Sequence, residues 1–105
     1  MLLWRAVLDQ ELSDLRLYKV FRNPTGIETK YFSESAAGAS WYARQAYKAW
    51  PQEGAYTLIQ TSIPKQLIIP VMIVMVDRGI RATIVPTELL SQLTIPVILP
   101  YLLLN

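Results

Sequence analysis

The chain of 105 residues contains no cysteine and no histidine. Without cysteine, disulfides and thiolate metal sites are excluded. Without histidine, Ser-His-Asp and Cys-His catalysis, histidine metal ligands and histidine acid–base chemistry are excluded as well. Any chemistry must therefore come from arginine, lysine, carboxylate, hydroxyl and backbone groups, and we predict no metal site.

Charged residues are scarce and unevenly distributed. They make up 17% of the chain, against 52% hydrophobic residues, and twelve of the eighteen lie at or before Lys48. This composition argues against disorder, which requires low hydrophobicity and high charge. We expect the second half to be mostly buried sheet, with a surface covered by a partner as the alternative.

A long hydrophobic run is also missing. The longest apolar stretch, LIIPVMIVMV, has ten residues and contains Pro70. A membrane-spanning helix needs about twenty apolar residues. We therefore predict no membrane span.

The net charge of +2 comes without any run of lysine or arginine. Nucleic-acid binders usually show a clustered basic footprint, so we rank RNA binding last among the possible functions. It stays open because stacking and charged side chains alternate in one set of residues. That set consists of Tyr18, Phe21, Arg22, Lys30 and Tyr31.

Sequence patterns predict an α+β fold in one domain spanning residues 1–105. Helices are expected in LDQELSDLRL, where Asp9 would accept a backbone N–H at the start, and in the alanine-rich stretch up to Trp50, before Pro51. An apolar stripe at steps of three or four residues predicts that this principal helix lies close on a sheet. The stripe consists of Ala36, Ala39, Ala43, Ala46 and Trp50. A mainly antiparallel sheet is expected from LLWRAV, TKYFS, AYTLIQTSIP, QLIIPVMIVMVD, RGIRATIVP and TIPVILPYLLLN.

Three candidate functional positions fall near predicted strand ends. Each has a structural explanation: Arg5 as a surface cation, Ser33 as a helix cap, an alternative cap being Ser35, and Glu88 as a favourable charge at a helix start. The aromatic pair before Ser33 would ordinarily be core. Taken together, these positions suggest a ligand site.

Five segments follow one another along the chain: WRAV, ELSDL, FRNPTGIETKYFSESAAGASWYARQAY, YTLIQTSIP and VDRGIRATIVPTELLSQL. Together they resemble the ADP-ribosyltransferase-like domains of bacterial polymorphic toxins, including RHS-type and contact-dependent toxins. The resemblance covers most of the chain and is best in GIETKYFSES. It implies a small, mainly antiparallel split sheet with one principal helix and a cleft between two small sheets.

The resemblance also implies that NAD is consumed as a substrate through cleavage of its nicotinamide–ribose bond. Arg5 would hold the phosphates or the nicotinamide ribose, a task that suits a planar and permanently charged guanidinium. Tyr31 would stack on nicotinamide, and the hydroxyl of Ser33 would orient the glutamate or the ribose. Glu88 would bind the ribose 2′-hydroxyl and stabilise developing positive charge. Arg5 and Glu88 are thus the predicted catalytic residues.

The chain departs from the family pattern at several positions. Since histidine is absent, only the arginine-type pattern is open. The usual Ser-Thr-Ser run is replaced here by a Ser-Glu-Ser run that starts at Ser33, and Pro86 stands where a second acidic or amide residue is usual. Glu28 is a rival to Glu88 as the key acidic residue. The acceptor of ADP-ribose, and the choice between transfer and hydrolysis, stay open.

The family further implies a bacterial origin and secretion or delivery into the cytoplasm of a target cell, as the C-terminal part of a longer toxin. An immunity protein and an unknown macromolecular acceptor would be its partners. The alternative function is a non-catalytic protein-binding module on the same fold. The apolar second half favours this alternative, and an exposed apolar patch over residues 95–104 would support it.

Alternation along the strand makes the prediction for the site specific. Tyr31 and Ser33 should face one side, at the cleft, and Phe32 should face the other side, in the core. The enzymatic hypothesis requires the side chains of Arg5, Ser33 and Glu88 to converge on one cleft.

Overall fold

A computed structural model describes residues 1–22, 29–75 and 81–99 of the chain. Short 3₁₀ segments occupy Pro51–Glu53, Lys65–Leu67, Pro70–Met72 and Thr87–Gln92. The regular elements are β1 (Leu2–Val7), α1 (Asp9–Tyr18), β2 (Thr29–Ser33), α2 (Ala36–Ala49), β3 (Thr57–Ser62), β4 (Ile73–Met75), β5 (Arg81–Pro86) and β6 (Val97–Ile98). The predicted α+β class with one principal helix, α2, is confirmed.

The six strands form one antiparallel sheet in the order β4-β5-β2-β1-β3-β6. The pairing of β1 with β3 runs the full length of both strands, and that of β2 with β5 runs the full length of β2. In contrast, the register between β1 and β2 consists of the single pair Trp4 and Ser33. The sheet therefore has two three-stranded halves that are joined at one point, which agrees with the predicted split sheet.

The two helices cover opposite faces of the sheet. Leu12 and Leu15 of α1 belong to the core cluster that also contains Leu3 and Val7 of β1. α2 packs on β1, β2 and β3, and its buried alanines lie outside that cluster. Because alternate strand residues point to opposite faces, the odd-numbered residues of β1 face α1 and the even-numbered ones face α2.

α1 begins without the predicted cap. The N-cap residue is Leu8, which has no side-chain hydrogen bond, and Asp9 is the first helical residue. The prediction that Asp9 accepts a backbone N–H at the helix start is therefore wrong. Asp9 instead places negative charge in the first turn, where the helix dipole favours it. At the other end Lys19 takes a left-handed conformation (φ 59°), and its N–H donates to the carbonyl of Leu15.

α2 has the cap and the buried stripe that the sequence predicts. The hydroxyl of Ser35 accepts a hydrogen bond from the Gly38 N–H at 2.9 Å. Ala39, Ala43 and Ala46 are buried. These small side chains let the helix backbone lie close to the strands, which makes this contact sensitive to any added volume.

The region before β4 differs from the prediction that the whole of QLIIPVMIVMVD belongs to the sheet. Residues 65–72 form two 3₁₀ turns, because Pro64 and Pro70 each interrupt a regular ladder. The strand that follows, β4, has three residues and lies at one edge of the sheet. β6 lies at the opposite edge, as the prolines around it predict. No helix of the described residues is long and apolar enough to cross a membrane.

Candidate functional site

Arg5 occupies the joint between the two halves of the sheet. Its Nε and Nη2 donate to the two carboxylate oxygens of Glu11 at 2.8 and 3.0 Å. Its Nη1 donates to the carbonyl oxygen of Tyr31 at 2.9 Å. The guanidinium thus links β1, β2 and α1, with 24% of its side chain exposed.

Lys30 approaches the same carboxylate from β2. Its Nζ lies 3.4 Å from Oε2 of Glu11, and only 9% of the residue is exposed. Two cations, Arg5 and Lys30, therefore face one carboxylate. We call this set of three residues the joint cluster; it carries one excess positive charge in a largely buried place.

The pKa values of the joint cluster follow from burial and from these charges. Burial would raise the pKa of Glu11, but the hydrogen bonds and charges of Arg5 and Lys30 outweigh it and hold that pKa below its ordinary value. The pKa of Lys30 is also lowered, mainly by burial and further by the charge of Arg5, against the opposing attraction of Glu11. Glu11 is therefore ionised at neutral pH.

Phe32 is a core residue next to Arg5. The guanidinium carbon of Arg5 is 6.0 Å from the centre of the Phe32 ring. Phe32 is 1% exposed and meets Phe21 edge to face, with ring centres 5.1 Å apart. The prediction that Phe32 is a core residue is confirmed.

Tyr31 and Ser33 lie on the opposite face from Arg5. Ser33 stands directly across from Trp4, so these two side chains point to the same side, and Arg5 points to the other. Tyr31 is 52% exposed on the Ser33 side. The Ser33 hydroxyl accepts the N–H of Ser35 at 3.3 Å. Ser33 and Ser35 thus both contribute to the turn that starts α2, while Ser35 alone caps the helix.

Glu88 lies in the first turn of the 3₁₀ helix that follows β5, and it is exposed. The preceding Pro86 pairs with Thr29, at the start of β2, whereas Ser33 is at the end of that strand. Four residue steps of about 3.3 Å place these two ends of β2 roughly 13 Å apart. Glu28, its rival, lies outside the described residues.

The structure therefore does not bring the predicted residues to one face. It joins Arg5 to Tyr31, but through the Tyr31 carbonyl rather than the ring. The side chains of Tyr31 and Ser33 lie across the sheet from Arg5, and Glu88 lies near the far end of β2 from Ser33. The side chain of β2 that shares the Glu11 carboxylate with Arg5 is that of Lys30.

Glu11 and Lys30 are the members of the joint cluster that sequence reasoning missed. The signal was present but weak: Glu11 is in the first turn of a predicted helix six residues after Arg5. A strand followed closely by a helix packed on it can bring such a pair together. Lys30 carries no such signal, because its partner is far along the chain. Among the described residues, no three carboxylates lie close enough together to hold a metal ion.

The residues considered for RNA stacking are engaged within the fold. Phe21 is 4% exposed, and Lys30 pairs with Glu11. Arg22 pairs with Asp14 at 2.8 Å and lies 3.6 Å from the centre of the Tyr18 ring. The hydrogen bond and the charge of Asp14, with a further contribution from the hydroxyl of Tyr18, raise the pKa of Arg22 above its ordinary value. Tyr18 and Tyr31 are 48% and 52% exposed, but the third ring of the set is in the core and both of its cations are paired.

Comparison with family models, with curated proteins and with solved structures finds no match to this chain. The fold and the joint cluster define a small α+β domain with a half-buried excess of positive charge at the joint of a split sheet. The resemblance to ADP-ribosyltransferase-like toxin domains stays a prediction.

Proposed function

We propose that this domain binds NAD at the joint of its split sheet and breaks the nicotinamide–ribose bond, by ADP-ribosyl transfer or by hydrolysis. The observation that carries the proposal is the joint cluster, in which Arg5 and Lys30 face the single carboxylate of Glu11. An excess positive charge in a partly buried place attracts an anion more strongly than one in open water. The diphosphate of NAD is an anion that this positive charge would attract.

Arg5 keeps donors for a ligand in this arrangement. A guanidinium has five N–H donors, and the bonds to Glu11 and Tyr31 use three of them. The remaining two belong to Nη1 and Nη2, whose planar geometry suits phosphate oxygens. Lys30 would add a second charge close to the same anion.

Glu88 is proposed as the catalytic carboxylate on the strength of the family resemblance. It would hold the ribose 2′-hydroxyl and stabilise the positive charge that develops as nicotinamide leaves. Glu88 is exposed and is therefore accessible to a ligand, which supports this role. The convergence of Arg5, Ser33 and Glu88 that the enzymatic hypothesis required is not met, because Ser33 lies on the opposite face from Arg5. The site proposed here therefore consists of Arg5, Lys30 and Glu88, without the side chains of Tyr31 and Ser33.

The test is nicotinamide release from NAD, with NAD affinity measured by calorimetry on the same samples. We expect Glu88→Gln to abolish most turnover while the affinity changes little, and Arg5→Lys to weaken NAD binding about tenfold or more. Glu53→Gln, which changes an exposed carboxylate away from the joint, is the matched control and should leave both unchanged. If the wild-type chain neither binds NAD nor releases nicotinamide, the proposal is wrong.

The second candidate function is that of a non-catalytic protein-binding module. An immunity protein is one candidate partner for such a module. Two observations favour it. First, both carboxylate oxygens of Glu11 accept hydrogen bonds from the Arg5 guanidinium, which therefore serves as a structural link between β1 and α1. The side chains of Tyr31 and Ser33 lie on the opposite face of the sheet from this link. In addition, the edge segment around β6 exposes apolar side chains, those of Ile95, Val97 and Ile98.

These exposed side chains fall within the apolar patch considered over residues 95–104, of which residues 95–99 are described. An exposed apolar edge strand can accept a partner's strand. The non-catalytic function predicts tight binding of a partner protein, lost in Val97→Lys, by a chain that has no affinity for NAD. NAD turnover by the wild-type chain would contradict it.

A further inference from the structure

A concave site of about 270 Å³ lies on the other side of the sheet from the joint cluster, between α2 and the segment that leads into β3. It is open to solvent and its lining is apolar. None of its lining residues belongs to β1 or β2, so it is separate from the proposed NAD site. We call it the α2 pocket, and it is lined by Ala43, Arg44, Tyr47, Lys48, Ala55 and Tyr56.

Exposed aromatic side chains lie in the lining of the α2 pocket and on the same part of α2. Tyr42 packs edge to face on Tyr56, with ring centres 6.1 Å apart. Tyr42, Tyr47 and Trp50 each expose about half of their surface, 57%, 47% and 54%. Tyrosine, tryptophan and arginine are the residues that most often dominate the energy of protein interfaces. The two aromatic residues bury large areas at low cost in conformational entropy.

The charge of this side of α2 has one sign. Arg44 and Lys48 are one helical turn apart and both line the pocket, and α2 contains no acidic residue. An acidic group of a partner would meet the positive charge of Lys48 at the rim of the pocket. Glu53, in the 3₁₀ turn after α2, is the first acidic residue that follows Lys48 in the sequence.

We propose that the α2 pocket is a docking site for a partner protein that inserts one large apolar side chain, flanked by acidic residues. The volume of about 270 Å³ lies just below the usual range for small-molecule sites, about 300–1,000 Å³. It suits a single aromatic or branched aliphatic side chain. The cationic rim then selects carboxylates on either side of that anchor.

Two other occupants fit the α2 pocket less well. In a symmetric dimer the same surface meets itself, so a second copy would bring Arg44 and Lys48 against their own counterparts. A nucleotide strand would find rings to stack on, but the lining offers few polar groups for base edges, and two cations do not make a groove that follows a phosphate backbone. The acidic protein partner is therefore the favoured occupant.

The experiment is selection of binding peptides from a random phage-displayed library against the whole chain. We expect the selected peptides to carry phenylalanine, tryptophan or leucine between aspartates or glutamates. Replacing that apolar residue by alanine should weaken binding about tenfold or more. In labelled protein, the amide signals of Ala43, Tyr47, Ala55 and Tyr56 should shift when the peptide is added.

Variants of the chain show where the peptides bind. Lys48→Glu should weaken the peptides about tenfold, more at low salt than at high salt, whereas Lys65→Glu, at an exposed lysine distant in sequence, should leave affinity unchanged. Tyr47→Ala should weaken them as well, and circular dichroism checks that each variant is folded. The proposal is overturned if the selected peptides lack acidic residues or ignore both Lys48→Glu and Tyr47→Ala. It also fails if oligouridylate binds the same surface more tightly, if the chain dimerises through it, or if no peptide is selected.

Discussion

Nη1 of Arg5 donates to the carbonyl oxygen of Tyr31 at 2.9 Å, next to the one point where β1 and β2 are in register. The bond replaces part of the backbone ladder that the joint lacks. Because Glu11 holds the same guanidinium from α1, one side chain ties the two halves of the sheet and the first helix together. The stability of the joint should therefore depend on the shape of the arginine fork as well as on its charge.

Arg5→Lys is expected to lower the free energy of unfolding by about 1–3 kcal/mol. Lysine keeps the charge but cannot bond both Glu11 oxygens and the Tyr31 carbonyl at once, and a half-buried carboxylate loses its best partner. Urea denaturation measures the loss. The control is Arg81→Lys, since Arg81 pairs with Glu34 but is 54% exposed, and it should cost about 1 kcal/mol or less. Equal effects of the two substitutions would contradict the structural role of Arg5.

The stability of the chain should fall in acid through Glu11. The folded state holds the pKa of Glu11 below its ordinary value of 4.5. As the pH falls, the unfolded state binds the proton first, so the stabilisation is present above the unfolded pKa and is lost as the pH falls through the folded one. Glu11→Gln should therefore be less stable than the wild type near neutral pH, and the difference should shrink in acid. Thermal or urea unfolding of both proteins between about pH 7 and about pH 3 measures it, and a constant difference would count against this prediction.

The two serines before α2 should differ in their contributions to stability. Ser35→Ala removes the hydroxyl that accepts the Gly38 N–H at the start of α2, and it should lower the free energy of unfolding by about 1 kcal/mol. Ser33→Ala removes a longer bond to the Ser35 N–H, of 3.3 Å in a partly exposed turn, and should cost about half as much or less. Chemical denaturation of both variants is the measurement. A larger loss in Ser33→Ala would show that Ser33 rather than Ser35 is the main cap.

The close packing of α2 on the sheet should not tolerate added volume at Ala43. This residue is 1% exposed, and a leucine there would push the helix off the strands, at a cost of about 1–3 kcal/mol. Ala37, on the exposed side of the same helix, is the matched control because Ala37→Leu changes helix propensity equally little. Urea denaturation should show a loss for Ala43→Leu alone. Similar stabilities of the two variants would mean that α2 is more loosely packed than the structure has it.

Much of the fold could be predicted from short-range patterns. The strand LLWRAV, the strand TKYFS with Phe32 turned inward, and the alanine-faced helix ended by Pro51 depend on local alternation, helical spacing and capping, all visible in a few consecutive residues. The cap at Asp9 was predicted wrongly because several residues near a helix start can serve as the cap, and packing decides which one does. Trp50, expected in the buried stripe, is 54% exposed because the helix ends at the residue before it.

The sequence by itself determined what chemistry is excluded, the α+β class and the side on which Tyr31, Phe32 and Ser33 point. These properties follow from composition and from the period of two along a strand. Only the tertiary structure decided that β1 and β2 meet at one pair, that Glu11 and Lys30 gather at Arg5, and that Ser33 and Arg5 lie on opposite faces. Strand order and register join residues far apart in the chain, and no pattern within a short window can specify which distant partners will meet.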